Sequence, residues 1–137
     1  KLNLTNFTVE TLIVESLEKL YLEDESKIKI KINEDFKISG DLHYLSTALK
    51  NLIDNALKYA ISYPIIIETN KNEISISNKG QKLSKEIEYY LKPFTQELSQ
   101  RDGFGLGLSI VEKIIHKHNF KLEYFYENGN NIFKIYW

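Results

Sequence analysis

Apolar residues return at helical spacing in three stretches of the chain. Over residues 8–22, Leu12, Ile13, Ser16, Leu17, Leu20 and Tyr21 fall on one face, and Thr8 is placed to cap the start. The longest stripe joins Leu45, Ala48, Leu49, Leu52, Ile53, Ala56, Leu57 and Ala60. Asp41 fits as its cap and Pro64 ends it, so a helix is expected over 42–61. The third helix, 106–118, carries Leu106, Ile110, Val111, Ile114 and Ile115. Elsewhere the period drops to two. Lys27–Ile32 alternates lysine with isoleucine, the pattern of a half-buried strand with a lysine-rich outer face. A short strand through Phe36 to Ser39 is broken by Gly40. Strands at Ile65–Thr69 and Glu73–Ser77 flank Asn70-Lys71-Asn72. Alternation at Leu122–Tyr126 and Ile132–Trp137 around Asn128-Gly129-Asn130-Asn131 marks a terminal hairpin. Residues 81–102 show neither period, carry Pro93 and are expected to be mobile. Three main helices and about six strands, mixed along the chain, predict an α/β two-layer sandwich. Its mixed β-sheet carries the helices on one face, in one domain over 1–137.

Composition narrows the function more than the fold. At 137 residues, with 42% hydrophobic and 27% charged positions, the chain can bury a core without staples. Its 18 basic and 19 acidic residues leave a net charge of -1, so nothing points to nucleic acid. No apolar run approaches the roughly 20 residues that cross a bilayer. The absence of cysteine excludes disulfides and thiolate metal sites, and suits a cytoplasmic setting. With no methionine at position 1, the chain is expected to be an excised piece of a longer protein.

Four constellations could carry chemistry. In Asn51-Leu52-Ile53-Asp54-Asn55-Ala56-Leu57-Lys58-Tyr59, the side chains of Asn51, Asn55 and Lys58 fall within about 60° of one another on the helix. An amide oxygen suits Mg²⁺ and a lysine suits phosphate, although a solvated helix face would read the same way. In Gly103-Phe104-Gly105-Leu106-Gly107-Leu108-Ser109, alternating glycines precede a helix. Glycine lets backbone N–H groups approach a polyphosphate, and a helix N-terminus favours anions. The pattern is neither a Walker loop nor a dinucleotide fingerprint, and a flexible loop is the plain alternative. Ser77-Asn78-Lys79-Gly80-Gln81-Lys82-Leu83 reads alone as a turn after a strand. Lys92-Pro93-Phe94-Thr95-Gln96 reads alone as a loop anchored by one aromatic. His116 and His118 do not share a helix face, His43 stands apart, and no metal site can be drawn from them.

In this order and spacing, the pieces resemble the catalytic ATP-binding domain of bacterial two-component sensor histidine kinases. Gyrase-type and Hsp90-type ATPases belong to the same superfamily. The resemblance spans roughly residues 4–137. The stretch from Gly40-Asp41 through Asn51 to Tyr59 resembles the family's N box, Gly103 through Val111 its second glycine box, and Lys92-Pro93-Phe94 its F box. The resemblance implies the Bergerat-type ATP-binding fold, with ATP and Mg²⁺ bound. Asn55 would coordinate Mg²⁺ across the phosphates, with Asn51 supporting it. Lys58 would contact phosphate, and Tyr59 would line the nucleotide pocket. Gly103, Gly105 and Gly107 would cradle phosphate, with Leu106 and Leu108 donating backbone N–H groups. Asn78, Gly80 and Leu83 enter the ATP-binding set through the first glycine box, and Phe94 would pack the lid. Gyrase-type ATPases carry a water-activating glutamate where Asn51 stands, and asparagine is a poor base. That favours transfer to a protein over hydrolysis.

This chain departs from the family in its first glycine box. Asn78 stands where an aspartate usually reads the adenine amino group, and Lys82 replaces the second glycine. An asparagine carbonyl can accept the same bond without the charge assistance. The family's phosphoacceptor histidine lies on a preceding dimerisation segment, and none of His43, His116 or His118 sits in such a motif. No catalytic base is therefore assigned within the chain. The implied partners are the protein's own phosphoacceptor dimerisation domain and, through a homodimeric full-length kinase, a response regulator. The implied location is the cytoplasmic side of a protein anchored in the inner membrane. Two other readings stand beside this one. The first is a nucleotide-binding interaction module that has lost phosphotransfer. The second is a related ATPase or a serine kinase of the anti-sigma type.

Overall fold

The computed structural model describes residues 1–91 and 106–137. A strand, β1 (Thr5–Thr8), leads directly into helix α1 (Val9–Leu20). Thr8 closes the strand and caps the helix, its Oγ1 accepting the Thr11 N–H at 3.2 Å. Tyr21 stops α1 in the left-handed conformation at φ 52°. A 3₁₀ turn at Glu25–Lys27 then leads into β2 (Ile28–Ile32). β3 (Lys37–Gly40) pairs antiparallel with β1 as a separate two-stranded ribbon. β1 has no counterpart among the expected strands, because a mostly polar run of 4 residues is too short to show alternation. Gly40 belongs to β3 rather than breaking it. A Cβ there would lie 2.6 Å from Leu45 Cδ1, so glycine lets the strand pass close to the helix layer.

Asp41 caps α2 (Leu42–Tyr59). Its Oδ1 accepts the Tyr44 N–H at 3.1 Å and its Oδ2 the Asn3 N–H at 2.8 Å. Burial alone would raise the pKa of Asp41. The two N–H groups, with His118 and His43 nearby, outweigh burial and hold the carboxyl below its ordinary value. The helix stops at Tyr59, short of the expected residue 61, because Ala60 turns extended and the Ile61 N–H bonds Lys79 O at 2.8 Å. β4 (Ile65–Asn70) and β5 (Glu73–Lys79) follow. β5 keeps Asn78 and Lys79 as paired strand residues where the sequence alone suggests a turn. Within the segment that showed no period lies a short helix, α3 (Ile87–Leu91). The last helix is α4 (Leu106–Lys117). β6 (Lys121–Glu127) and β7 (Asn130–Tyr136) close the chain. Asn128 and Gly129 both hold positive φ between them, as a two-residue type I′ turn requires.

The main sheet runs β2-β4-β5-β7-β6, with β2 and β4 parallel and the other pairs antiparallel. Its register stacks one buried face in rows. Ile74, Ile135 and Leu122 form one row, and Ile76, Phe133 and Tyr124 the next. The third row is polar, with Asn78, Asn131 and Tyr126. The apolar rows bury against Leu12 and Ile13 of α1, Leu49, Leu52 and Ile53 of α2, and Leu108, Val111 and Ile115 of α4. The expected two-layer sandwich, with the helices on one face of a mixed sheet, is the fold.

α2 packs against both α1 and α4. At one end, His118 ties α4 to α2. Its Nδ1–H donates to Ile114 O at 2.8 Å, and its Nε2 accepts the Asp41 N–H at 3.0 Å. A histidine that the sequence leaves without a role thus fixes α4 against the cap of α2. No helix among the described residues is long and apolar enough to cross a membrane.

Candidate functional site

The C-terminal half of α2 carries the candidate residues because its apolar stripe is turned to the sheet. Leu52, Ile53 and Ala56 are buried, which leaves Asn51 and Asn55 on the flank that meets α4. The first turn of α4 closes on that flank. A Cβ built on Gly107 would lie 3.9 Å from both Asn51 Cβ and Asn55 Nδ2. The Asn55 amide nitrogen is buried there and has no hydrogen-bond partner among the described residues. Leaving such a group unsatisfied costs about 1–3 kcal/mol, so the position favours an acceptor beyond the described residues. It lies beside a helix N-terminus, whose first N–H groups have no intrahelical partners. The buried amide and the helix end together form an anion-accepting corner.

The other end of the site is built by the polar row of the sheet. Asn78 is buried, and its Nδ2 donates to Lys79 O at 3.2 Å, which fixes the amide and leaves Oδ1 as its acceptor. Gly80 sits under the end of α2, where a Cβ would stand 2.9 Å from the Tyr59 carbonyl oxygen. The following loop borders a cavity of about 290 Å³ lined by Tyr59, Ile61, Gln81, Lys82, Leu83, Ser84 and Tyr90. Burial, and then the Asp54 carboxylate, raise the Tyr59 pKa, so its phenol stays neutral at this wall. Tyr90 is fully buried behind it, with its hydroxyl 3.1 Å from Ser84 Oγ.

The structure therefore brings Asn51, Asn55 and Gly107 together at one end, and Tyr59, Asn78, Gly80 and Leu83 together at the other. Lys58 is exposed on the last turn of α2. Leu106 opens α4, while the Leu108 side chain is core and only its backbone can serve the site. Phe94, Gly103 and Gly105 lie outside the described residues. The sequence reading missed Asn131, Tyr124 and Tyr126, which hold the loop after β5. One signal was available: Asn131 occupies the same parity in β7 as the buried Phe133 and Ile135. A polar residue on a buried face needs a reason. Among the described residues, no group of three His, Cys, Asp or Glu could hold a metal, so a cation here would rest on amide and phosphate oxygens.

Residues 40–136, which include both ends of the site, match the family model described as histidine kinase-, DNA gyrase B-, and HSP90-like ATPase. The chain belongs to that family. Its relatives are sensor histidine kinases. Against sensor histidine kinase ArsS of Helicobacter pylori it is 33% identical over 129 residues, covering 90% of this chain and 30% of that protein. Against sensor histidine kinase HprS of Escherichia coli it is 33% identical over 122 residues, covering 84% of this chain and 27% of the other. The chain thus spans about a third or less of the curated relatives it matches. Among solved structures, the catalytic domain of histidine kinase ThkA superposes with a TM-score of 0.69 at 27% identity, covering 97% of this chain and 93% of that one. The Acinetobacter baumannii histidine kinase AdeS shares the fold, with a TM-score of 0.76 at 23% identity over 98% of this chain and 66% of that one. This is an ATPase-family catalytic domain of the sensor histidine kinase type.

Proposed function

We propose that this domain holds Mg-ATP between the C-terminal half of α2, the first turn of α4 and the loop after β5. Its γ-phosphoryl goes to a histidine on a dimerisation domain outside the chain. The observation that carries this reading is the buried amide nitrogen of Asn55 against Gly107, without a partner among the described residues. Such an amide can turn its oxygen to a cation or its nitrogen to a phosphate oxygen. Magnesium would be held by Asn55, supported by Asn51, and would shield charge on the phosphates. Gly107 and the free N–H groups of Leu106 and Leu108 would receive phosphate oxygens, and Lys58 would reach them from the rim. Tyr59 and Leu83 would line the base pocket, and Asn78 Oδ1 would accept the adenine amino group. Asn51 is no base, so the site positions phosphate without activating water. The acceptor histidine and any proton-removing group belong to another segment.

The full-length protein is proposed to be a homodimeric sensor kinase with a response regulator as partner. In that arrangement the domain lies on the cytoplasmic side of an inner-membrane anchor. The readings as an interaction module without phosphotransfer, or as an anti-sigma-type serine kinase, are not favoured by relatives that are sensor histidine kinases. Titration calorimetry with a non-hydrolysable Mg-ATP analogue tests the site. Saturable binding by the chain that is weakened in Asn55→Ala is expected. No binding by the wild-type chain would reject the reading.

A further inference from the structure

The loop after β5 has no regular structure to satisfy its backbone, yet it forms one wall of the cavity. Its hydrogen bonds go to the terminal hairpin. Gly80 N–H donates to Gly129 O at 3.1 Å, in the β6–β7 turn. Tyr126 Oη–H donates to Gly80 O at 3.0 Å. Asn131 Nδ2 donates to Gln81 O at 2.9 Å. Leu83 N–H donates to Tyr124 Oη at 3.4 Å, and Tyr124 Oη–H in turn donates to Asn131 Oδ1. Both ends of the Asn131 amide are thus used, and the Tyr124 phenol both gives and takes a bond.

We infer that Tyr124, Asn131 and Tyr126 form a clamp that holds Gly80–Leu83 in the shape the nucleotide base needs, making them positioning residues for ATP. The inference rests on the ATP reading above. None of the three side chains lines the 290 Å³ cavity, whereas Gln81, Lys82 and Leu83 do. The clamp therefore acts through the loop. The Tyr124 ring stays in place by packing at a tilt against Phe133, with centroids 5.0 Å apart, so its hydroxyl is aimed by packing. Burial raises the Tyr124 pKa, which keeps the hydroxyl proton that Asn131 receives. A wall fixed before binding removes the entropy cost of ordering a loop around the ligand. The three residues come from one hairpin and meet one loop, so they work as a unit. Their loss should be felt where the base sits and not at Asn55 and Gly107, at the opposite end of the site.

Tyr124→Phe removes the hydroxyl and keeps the ring. Tyr126→Phe removes one bond at an exposed position and is the variant certain to leave the core alone. Binding of a Mg-ATP analogue and of Mg-tripolyphosphate, which has no base, is measured by displacement of a fluorescent nucleotide. Hydrogen exchange at residues 80–83 is followed in the same samples. Tyr124→Phe is expected to weaken the ATP analogue by about tenfold and Tyr126→Phe by about threefold, the range of one or two hydrogen bonds. Tripolyphosphate should be unchanged, and the loop amides should exchange faster in both variants. Unchanged affinity for the analogue in both variants overturns the clamp while leaving the ATP reading intact. So does an equal loss for both ligands, which would mean general damage. A wild-type chain that binds neither the fluorescent nucleotide nor the Mg-ATP analogue overturns the ATP reading and the clamp's role together, whatever the exchange shows.

Discussion

Where α2 meets α4, the Asn55 amide nitrogen is buried with no partner among the described residues; at the end of the sheet, the Asn131 amide is buried with a partner for each atom. The same side chain is thus left open at one end of the site and closed at the other. An open amide costs stability that only a ligand recovers, whereas a closed one stabilises the wall it holds. The glycines divide in the same way. Gly80 is required by the fold, because a Cβ would press on the Tyr59 carbonyl oxygen at 2.9 Å. Gly107 is not, because a Cβ there would meet its neighbours at an ordinary 3.9 Å. In the proposed site, the phosphate end would spend stability on binding and the base end residues on shape.

The largest expected effect comes from closing the open end. Asn55→Ala should abolish Mg-dependent phosphotransfer in the full-length kinase and weaken Mg-ATP analogue binding to this domain by about 10- to 100-fold, the value of hydrogen bonds to charged groups. Its thermal unfolding should change by less than about 1 kcal/mol, since the lost amide was unsatisfied. A variant that unfolds would make Asn55 a structural residue. One that keeps full kinase activity would remove it from the metal site.

The glycines give the next test. Gly80→Ala should destabilise the free domain by about 1–3 kcal/mol, because backbone cannot yield as a side chain can. Gly107→Ala should be neutral or stabilise the free domain by up to about 1 kcal/mol, since alanine is the better helix former. The same change should weaken nucleotide binding by filling space beside Asn55 that a phosphate oxygen would take. Denaturant unfolding of both variants without nucleotide decides. Equal costs would erase the distinction between the two ends.

These tests separate what the sequence disclosed from what it hid. The three long helices were legible because each buries a stripe several turns long, whereas α3 is too short to show one; Asn51, Asn55 and the glycines lie off those stripes where chemistry stands out. β1 was too short and polar to show a period. The clamp was hidden for another reason. Tyr124, Tyr126 and Asn131 lie some forty to fifty residues from the loop they hold, as the separations of their bonds show. Only the strand register brings them together. His118 was hidden in the same way, 77 positions from Asp41.

A smaller effect is expected at the opposite end of α2, which belongs to neither half of the comparison. Asp41→Ala should cost about 1 kcal/mol by removing the cap. Analogue affinity should stay within about twofold, because the residues at the site lie turns away on α2. The pH dependence follows from the lowered pKa of Asp41. The unfolded chain titrates near the ordinary aspartate value and the folded chain below it. The contribution is therefore complete at neutral pH and is lost as pH falls below about 4 through the folded value. Unfolding curves of the wild type and the variant should converge in acid. Curves that stay apart would mean that the cap does not act through its charge.

The smallest effect tests whether the base end is closed as fully as it looks. In Asn78 the nitrogen is used, on Lys79 O at 3.2 Å, and the proposed role in reading the base falls to the oxygen. Asn78→Asp replaces the donor by a second acceptor facing that carbonyl, so the free domain should lose about 1 kcal/mol. The same change offers the adenine amino group a charged acceptor, worth roughly 1 kcal/mol more than a neutral one. Guanine presents a carbonyl at that place and gains nothing. The expected outcome is a less stable domain that binds the ATP analogue several-fold tighter, with no gain for the GTP analogue. Two factors oppose it. Lys82 lines the cavity beyond Gly80, and its ammonium can draw the carboxylate away from the base. Burial of Asn78 also makes a charge there costly before the ligand arrives. If both penalties fall on the free state, ligand binding relieves part of them and the gain survives. Calorimetry of the wild type and the variant with both analogues separates the cases. Tighter ATP binding alone places Asn78 at the adenine amino group. Equal gains for ATP and GTP, or none, would take Asn78 away from the base and leave the clamp holding a wall that reads shape only.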